Sequence, residues 1–260
     1  MPKDDIVYLL KFAPQEAYID DLMDGRLYMN AAGYYQGLPG EQGDPLEASL
    51  TYGTGIYANW LLPIYCMFTL WESDIVDNTV VITRRMIDEF RCADGWIGIV
   101  RYGCFERLLN RKIDSGNGIS LHSPVFYGAP APSVTDEAFQ GIPYNLVIKA
   151  PKYAYQREYR IIGSQPVDWR LKSDENNPGR KTEEYGHAEL DLGSGLTGFS
   201  WKVPASSLTE VKDGLVLKLP LTAQQADERA IDHSIIPSME SHSMQLELTE
   251  SRHGADSIAS

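Results

Sequence analysis

This 260-residue sequence is short of the residues that usually announce a chemistry. It has three cysteines, Cys66, Cys92 and Cys104, an odd number at wide spacing. That pattern supplies neither a disulfide framework nor a zinc site. The five histidines, His122, His187, His233, His242 and His253, are scattered, and none makes a close pair at ligand spacing, so no metal site is expected. Positive charge is also in deficit: 23 Lys and Arg stand against 36 Asp and Glu, a net charge of −13. A field of that sign repels phosphate backbones and disfavours extended nucleic-acid binding. No apolar run approaches the ~20 residues of a membrane span. The N-terminal MPKDDIVYLLKF carries acids where a signal peptide needs bases, so a cytoplasmic location is expected. Gly193-Ser194-Gly195-Leu196-Thr197-Gly198 has GxGxxG spacing but reads as a turn between two strands rather than as the entry to a helix, and there is no GxxxxGK[ST], GxSxG, HExxH or EF-hand loop.

What is present is ordinary globular composition, 43% hydrophobic and 23% charged, with 15 tyrosines. The length suffices for one large domain. Ile6–Phe12 reads as a buried strand. Pro14 opens a helix whose apolar stripe is Tyr18, Ile19, Leu22 and Met23, and Gly25 closes it. Leu27–Asn30 is strand-like. Residues 33–55 form a long Gly-rich loop, the kind that is usually functional or mobile. A buried strand is expected at Ile64–Leu70, a helix at Thr83–Phe90 with Thr83 as N-cap, and a strand at Trp96–Val100. Phe105, Leu108, Leu109 and Ile113 mark an amphipathic helix. Later strands are expected at Ile119–Tyr127, Asn145–Lys149, Glu158–Gly163, His187–Leu192, Leu196–Val203 and Leu215–Leu219, with an exposed loop over 170–186. The fold class is α+β: a mixed, mostly antiparallel sheet core with flanking helices. Residues 1–220 read as a single domain, and 221–260 as a polar, Ser-rich tail, partly helical or disordered.

The densest cluster of reactive side chains is Lys152–Ile162, KYAYQREYRII. On an extended backbone Gln156 and Glu158 point the same way, while Arg157 and Tyr159 point away. The alternative is an edge strand with solvated charges, in which Arg160 pairs with Asp44 or Glu47 and pins the Gly-rich loop. Two other segments complete a possible site. One is the first strand with Tyr8 and Lys11. The other is the loop Gly43-Asp44-Pro45-Leu46-Glu47.

This order of features resembles the ADP-ribosyltransferase superfamily, by way of uncharacterised bacterial and phage proteins related to abortive-infection factors. Those proteins share an early Tyr/Lys strand, a Gly-Asp-Pro-x-Glu loop and a late Gln/Glu-x-Glu-Tyr-Arg strand. The resemblance covers about the first 165 residues. It implies an ADP-ribosyltransferase-like fold, NAD as substrate, and a role as toxin or defence factor in phage–bacterium conflict. Glu158 corresponds to the catalytic Glu and Gln156 to the first residue of its pair. Lys11 stands where the superfamily has Arg or His, and Thr69 is the candidate for the central hydroxyl. Tyr8, Tyr34 and Arg160 complete the implied NAD contacts, and an unknown macromolecule is the implied acceptor. Two other readings stand beside it: a non-catalytic binding protein on the same scaffold, acting as phage inhibitor or immunity partner, and a metal-dependent nuclease using Asp44, Glu47 and Glu158.

Overall fold

The computed structural model describes residues 5–36, 38, 49–52, 55–58, 60–90, 94–128, 144–174 and 177–220. These belong to one unit, Met1–Pro220. The expectations for 221–260 and for Asp44 and Glu47 fall outside the described residues.

In chain order the strands of the first half are β1 (Ile6–Ala13), β2 (Arg26–Ala31), β3 (Ser49–Tyr52), β4 (Gly55–Ala58), β5 (Pro63–Trp71), β6 (Thr79–Thr83), β7 (Trp96–Arg101), β8 (Ile119–Pro124) and β9 (Phe126–Tyr127). Those of the second half are β10 (Ile148–Lys149), β11 (Glu158–Gly163), β12 (Trp169–Asp174), β13 (Asn177–Tyr185), β14 (His187–Asp191), β15 (Ser200–Pro204), β16 (Thr209–Val211) and β17 (Gly214–Lys218). The helices are α1 (Glu16–Met23), α2 (Ala32–Gln36), α3 (Arg84–Phe90) and α4 (Tyr102–Asp114). The chain is mixed α+β, and its sheets are mostly antiparallel.

The main sheet has eight strands, with β14-β2-β5-β1-β7-β15 along one path and β11 and β8 branching from β5. The branch has a simple origin. Phe68 pairs with Leu10 of β1 and with Glu158 of β11, so those two strands lie on opposite edges of β5. Ile64 pairs with Asn30 of β2 and with Ile162 of β11, so β2 lies on the same edge as β1. β1 pairs with β5 only from Leu10↔Phe68 toward Trp71, and β2 only at Ile64 and Pro63. Between these two contacts the edge of β5 at Tyr65–Met67 has no strand partner among the described residues. The sheet is forked there.

One face of the sheet carries Tyr8, Leu10, Phe68, Leu70, Ile97 and Ile99. It packs against Met86 and Ile87 of α3 and against the small sheet β16-β17-β6 through Val80, Ile82 and Leu217. On the other face α1 closes on β7 at Gly98, where an added Cβ would sit 3.3 Å from Ile19 and 3.4 Å from Leu22. Gly25 takes φ +82, a left-handed conformation that suits glycine after a helix, and the carbonyl of Ser194 lies only 2.3 Å from where its Cβ would be.

Some sequence expectations are displaced. The 170–186 segment is the hairpin β12–β13, not a loop: Trp169 pairs with Tyr185 and Leu171 with Glu183. The segment is rich in polar residues, and an antiparallel backbone ladder forms without the long apolar run that marks a buried strand. Ile119–Tyr127 breaks into β8 and β9. Tyr144–Val147 is a 3-10 turn preceding the two residues of β10. The predicted Leu196–Val203 strand starts only at Ser200.

Candidate active-site cleft

A cleft of about 230 Å³ opens beside the fork. Leu10, Lys11 and Phe12 of β1 form one wall, and Cys66, Met67 and Phe68 of β5 the floor. Tyr35 of α2, Glu89 and Phe90 of α3, and Lys149, Gln156 and Glu158 close the remainder. The strand divergence that leaves β5 unpaired also makes this space.

Lys11 fills part of the gap in the ladder. Its ammonium donates to the carbonyl of Cys66 at 2.9 Å and lies 4.1 Å from the centre of the Tyr65 ring. Burial lowers its pKa, and the charge of Glu158 offsets that only in part. Burial likewise pushes the Cys66 thiol and the Tyr35 phenol up, so both stay protonated.

Glu158 is the first residue of β11, and its backbone route is unusual. Pro151–Gln156 is a 3-10 turn, Arg157 adopts the left-handed conformation (φ 43, ψ 45), and the strand begins at the next residue. The αL residue swings the chain so that the side chains of Gln156 and Glu158 both reach the cleft, while Arg157 turns outward to Asp74 at 2.5 Å. The expectation that Gln156 and Glu158 share a direction is met, although Gln156 is not on a strand. Nor is β11 an edge strand, because it is paired on both sides, with β5 and β8. Tyr159 occupies its other face, under α4, where its hydroxyl lies 2.6 Å from His122 Nδ1.

Along the polar wall, charges alternate. Arg160 Nε donates to Glu158 Oε1 at 2.7 Å, and Nη2 donates to Oε2 at 3.2 Å. Lys149 Nζ reaches the same Oε2 at 2.8 Å and the Oε1 of Gln156 at 2.9 Å. Gln156 Nε2 donates to Glu89 Oε1 at 2.6 Å, and the hydroxyl of Tyr155 donates to the other oxygen of Glu89. Burial alone would raise the pKa of Glu158, but Arg160 and Lys149 outweigh it and hold the carboxyl well below the usual carboxylate range. Glu158 is therefore an ionised, fully clamped carboxylate. Among the described residues the formal charges of Glu89, Lys149, Glu158 and Arg160 balance, and Lys11 adds one positive charge when protonated.

Of the residues singled out from sequence, Lys11, Gln156 and Glu158 meet in this cleft. Arg160 does not line it: it lies behind Glu158, only 1% exposed, and its Nη1 donates to the Leu146 carbonyl at 2.5 Å. Its described partners are Glu158, two residues away, and the Leu146 carbonyl, while the loop acids Asp44 and Glu47 lie outside the described residues. Tyr8 packs in the apolar cluster under α3, because its side chain follows the alternation of Leu10. The Thr69 hydroxyl is taken up by the carbonyl of Arg157 at 2.7 Å. Tyr34 is exposed and meets Tyr35 edge-on. None of these three lines the cleft.

Sequence reasoning missed Lys149, Glu89 and Cys66. Lys149 carried a signal, since a lysine ending the apolar Leu146–Ile148 run must find a counter-ion once buried. Glu89 and Cys66 carried none. Among the described residues no group of three or more His, Cys, Asp or Glu side chains could hold a metal ion, and no helix is long and apolar enough to cross a membrane. Compared with family models, with curated proteins and with solved structures, the chain matches none.

Proposed function

We propose that this is an ADP-ribosyltransferase-like protein that cleaves NAD in the cleft, with Glu158 at its centre, and acts in phage–bacterium conflict. The observation that carries the reading is the meeting of Gln156 and Glu158 with Lys11, from segments far apart in sequence, around one open space. The cleft is smaller than the roughly 300–1,000 Å³ of sites for drug-sized ligands. It would therefore receive the nicotinamide riboside end of NAD, with the adenosine outside. Breaking the nicotinamide–ribose bond builds positive charge on the ribose. A fixed carboxylate stabilises that charge more in the transition state than in the ground state. The bond electrons leave with nicotinamide, and water or an acceptor side chain attacks the ribose carbon. Gln156, held by Lys149 and Glu89, would orient the ribose. Lys11 would meet the anionic side of the ligand, a part that Arg160 cannot play because its donors are engaged with Glu158 and Leu146.

A non-catalytic binding protein is the second reading. It is favoured by the clamp itself, since a carboxylate already neutralised by Arg160 and Lys149 has less charge to offer a cationic transition state.

The two separate in one assay. NAD labelled in the nicotinamide ring is incubated with the purified protein, alone and with cell lysate, beside Glu158→Gln. The catalytic reading expects label release from wild type, reduced about 10²–10³-fold in the variant, the scale for losing one preorganised electrostatic group. An intact fold that binds no NAD by calorimetry refutes it. Binding without release, in buffer and in lysate, supports the second reading.

A further inference from the structure

Lys11 differs from the two cations that surround Glu158. Lys149 and Arg160 both sit on the Glu158 carboxylate. Lys11 instead has a backbone carbonyl and an aromatic ring as partners. Lys11 lines the cleft, and its neighbours there on β1 and β5, Leu10, Phe12 and Met67, are apolar. A desolvated amine held by a carbonyl and a ring, without a carboxylate counter-ion, is the arrangement that turns a lysine from a charge into a nucleophile.

We propose that Lys11 is a nucleophilic amine that captures a small aldehyde or ketone entering the cleft. The neutral nitrogen attacks the carbonyl carbon. The carbonyl oxygen takes up protons and leaves as water, and a C=N bond to Lys11 forms. The sum is amine plus carbonyl giving imine plus water, with no oxidant or reductant. The Cys66 carbonyl holds the nitrogen at the cleft wall. The titratable groups around it are Tyr65 on β5, whose ring it covers, and, lining the same cleft, Tyr35 on α2, Cys66 on β5, Glu89 on α3, Lys149, and Glu158 on β11. Of these, burial keeps Tyr35, Tyr65 and Cys66 protonated. Burial supplies the bias toward the neutral amine, and Glu158 opposes it.

This capacity is linked to the reading of the cleft as an NAD site but does not depend on it. An anion bound beside Lys11 would hold it protonated and unreactive. The test treats the full chain with acetaldehyde and cyanoborohydride over pH 6–9 and follows each lysine by peptide mass mapping. Exposed Lys218 is the internal reference. The expected result is that Lys11 is labelled at least tenfold faster than Lys218 at pH 7, with its rate levelling off at a lower pH. Lys11 labelled no faster than Lys218 overturns the proposal. A second arm repeats the labelling with saturating NAD. Protection of Lys11 alone supports NAD in the cleft. Rapid labelling that NAD leaves unchanged upholds the reactive amine and counts against NAD occupancy, so the two ideas fail separately.

Discussion

Replacing Arg160 with Met removes the guanidinium that faces Glu158 from within the sheet. The side chain volume is roughly kept, but two donors to the carboxylate, at 2.7 and 3.2 Å, and one to the Leu146 carbonyl are lost. Both partners of the pair are buried, so water cannot replace the lost donors. Removing one member of such a pair typically costs about 3–5 kcal/mol, because the other charge is left uncompensated. Lys149 remains on Oε2, which places the expected loss at the lower end, about 3 kcal/mol. For a domain of this size each kcal/mol lowers Tm by about 2–4 °C, so a drop of roughly 6–12 °C is expected. The pH dependence carries a sign. In the wild type the Glu158 pKa is held below its unfolded value of about 4.3. The stability it contributes is therefore present above that pH and lost as pH falls through the folded value. In the variant Glu158 protonates at a higher pH, so the gap between the proteins must narrow on acidification below about pH 4.3. Thermal and urea unfolding followed by circular dichroism at pH 7 and pH 4 measure both. A loss under about 1 kcal/mol, or a gap that widens in acid, refutes the account of Glu158 as a clamped ion.

Three further outcomes are expected. Glu89→Leu removes the acceptor for Gln156 and Tyr155 and should destabilise by about 1–3 kcal/mol, the penalty for unsatisfied buried groups; chemical denaturation gives the value. His122 has its pKa lowered, chiefly by burial, so its contribution to stability is full above the unfolded value of about 6.5 and is lost as pH falls below it toward the folded value. Melts of His122→Asn across pH 5–7 should be flatter than those of wild type. Gly25→Ala forces a left-handed alanine, about 1–2 kcal/mol, against the Ser194 carbonyl at 2.3 Å; a Tm within 2 °C of wild type would contradict the positive φ.

The strands of the main sheet were legible because their residues carry the signal themselves. Ile6–Phe12, Ile64–Leu70 and Trp96–Val100 are apolar runs buried on both faces, and each is found within a residue or so of its expected bounds. Thr83 also behaves as a cap, its hydroxyl accepting from the Met86 amide at 3.4 Å. β6 escaped because exposed residues alternate through it, and the β12–β13 hairpin because its sequence has no apolar run. In the site, Glu158 and Gln156 could be read from local spacing, and Lys11 from its place on the first strand. The partners of Glu158 could not. Lys149 lies nine positions upstream across an irregular turn, and the inward course of Arg160 depends on β11 being flanked on both sides. Tyr8 and Thr69 lie on strands that also line the cleft, and only their positions along β1 and β5 separate them from it, while Tyr34 lies exposed on α2.

The fork in the sheet has a mechanical consequence. Lys11 stands in for a missing rung between β1 and β5, a flexible tether where the other positions have rigid backbone pairing. The seam between the halves of the protein's largest sheet therefore coincides with its cleft. A molecule seated there would splint the halves together, and its affinity would register as resistance to heat, by about 2.7 kcal/mol at a hundredfold excess over Kd. Any compound that raises the melting temperature through this seam reports occupancy before the chemistry is known.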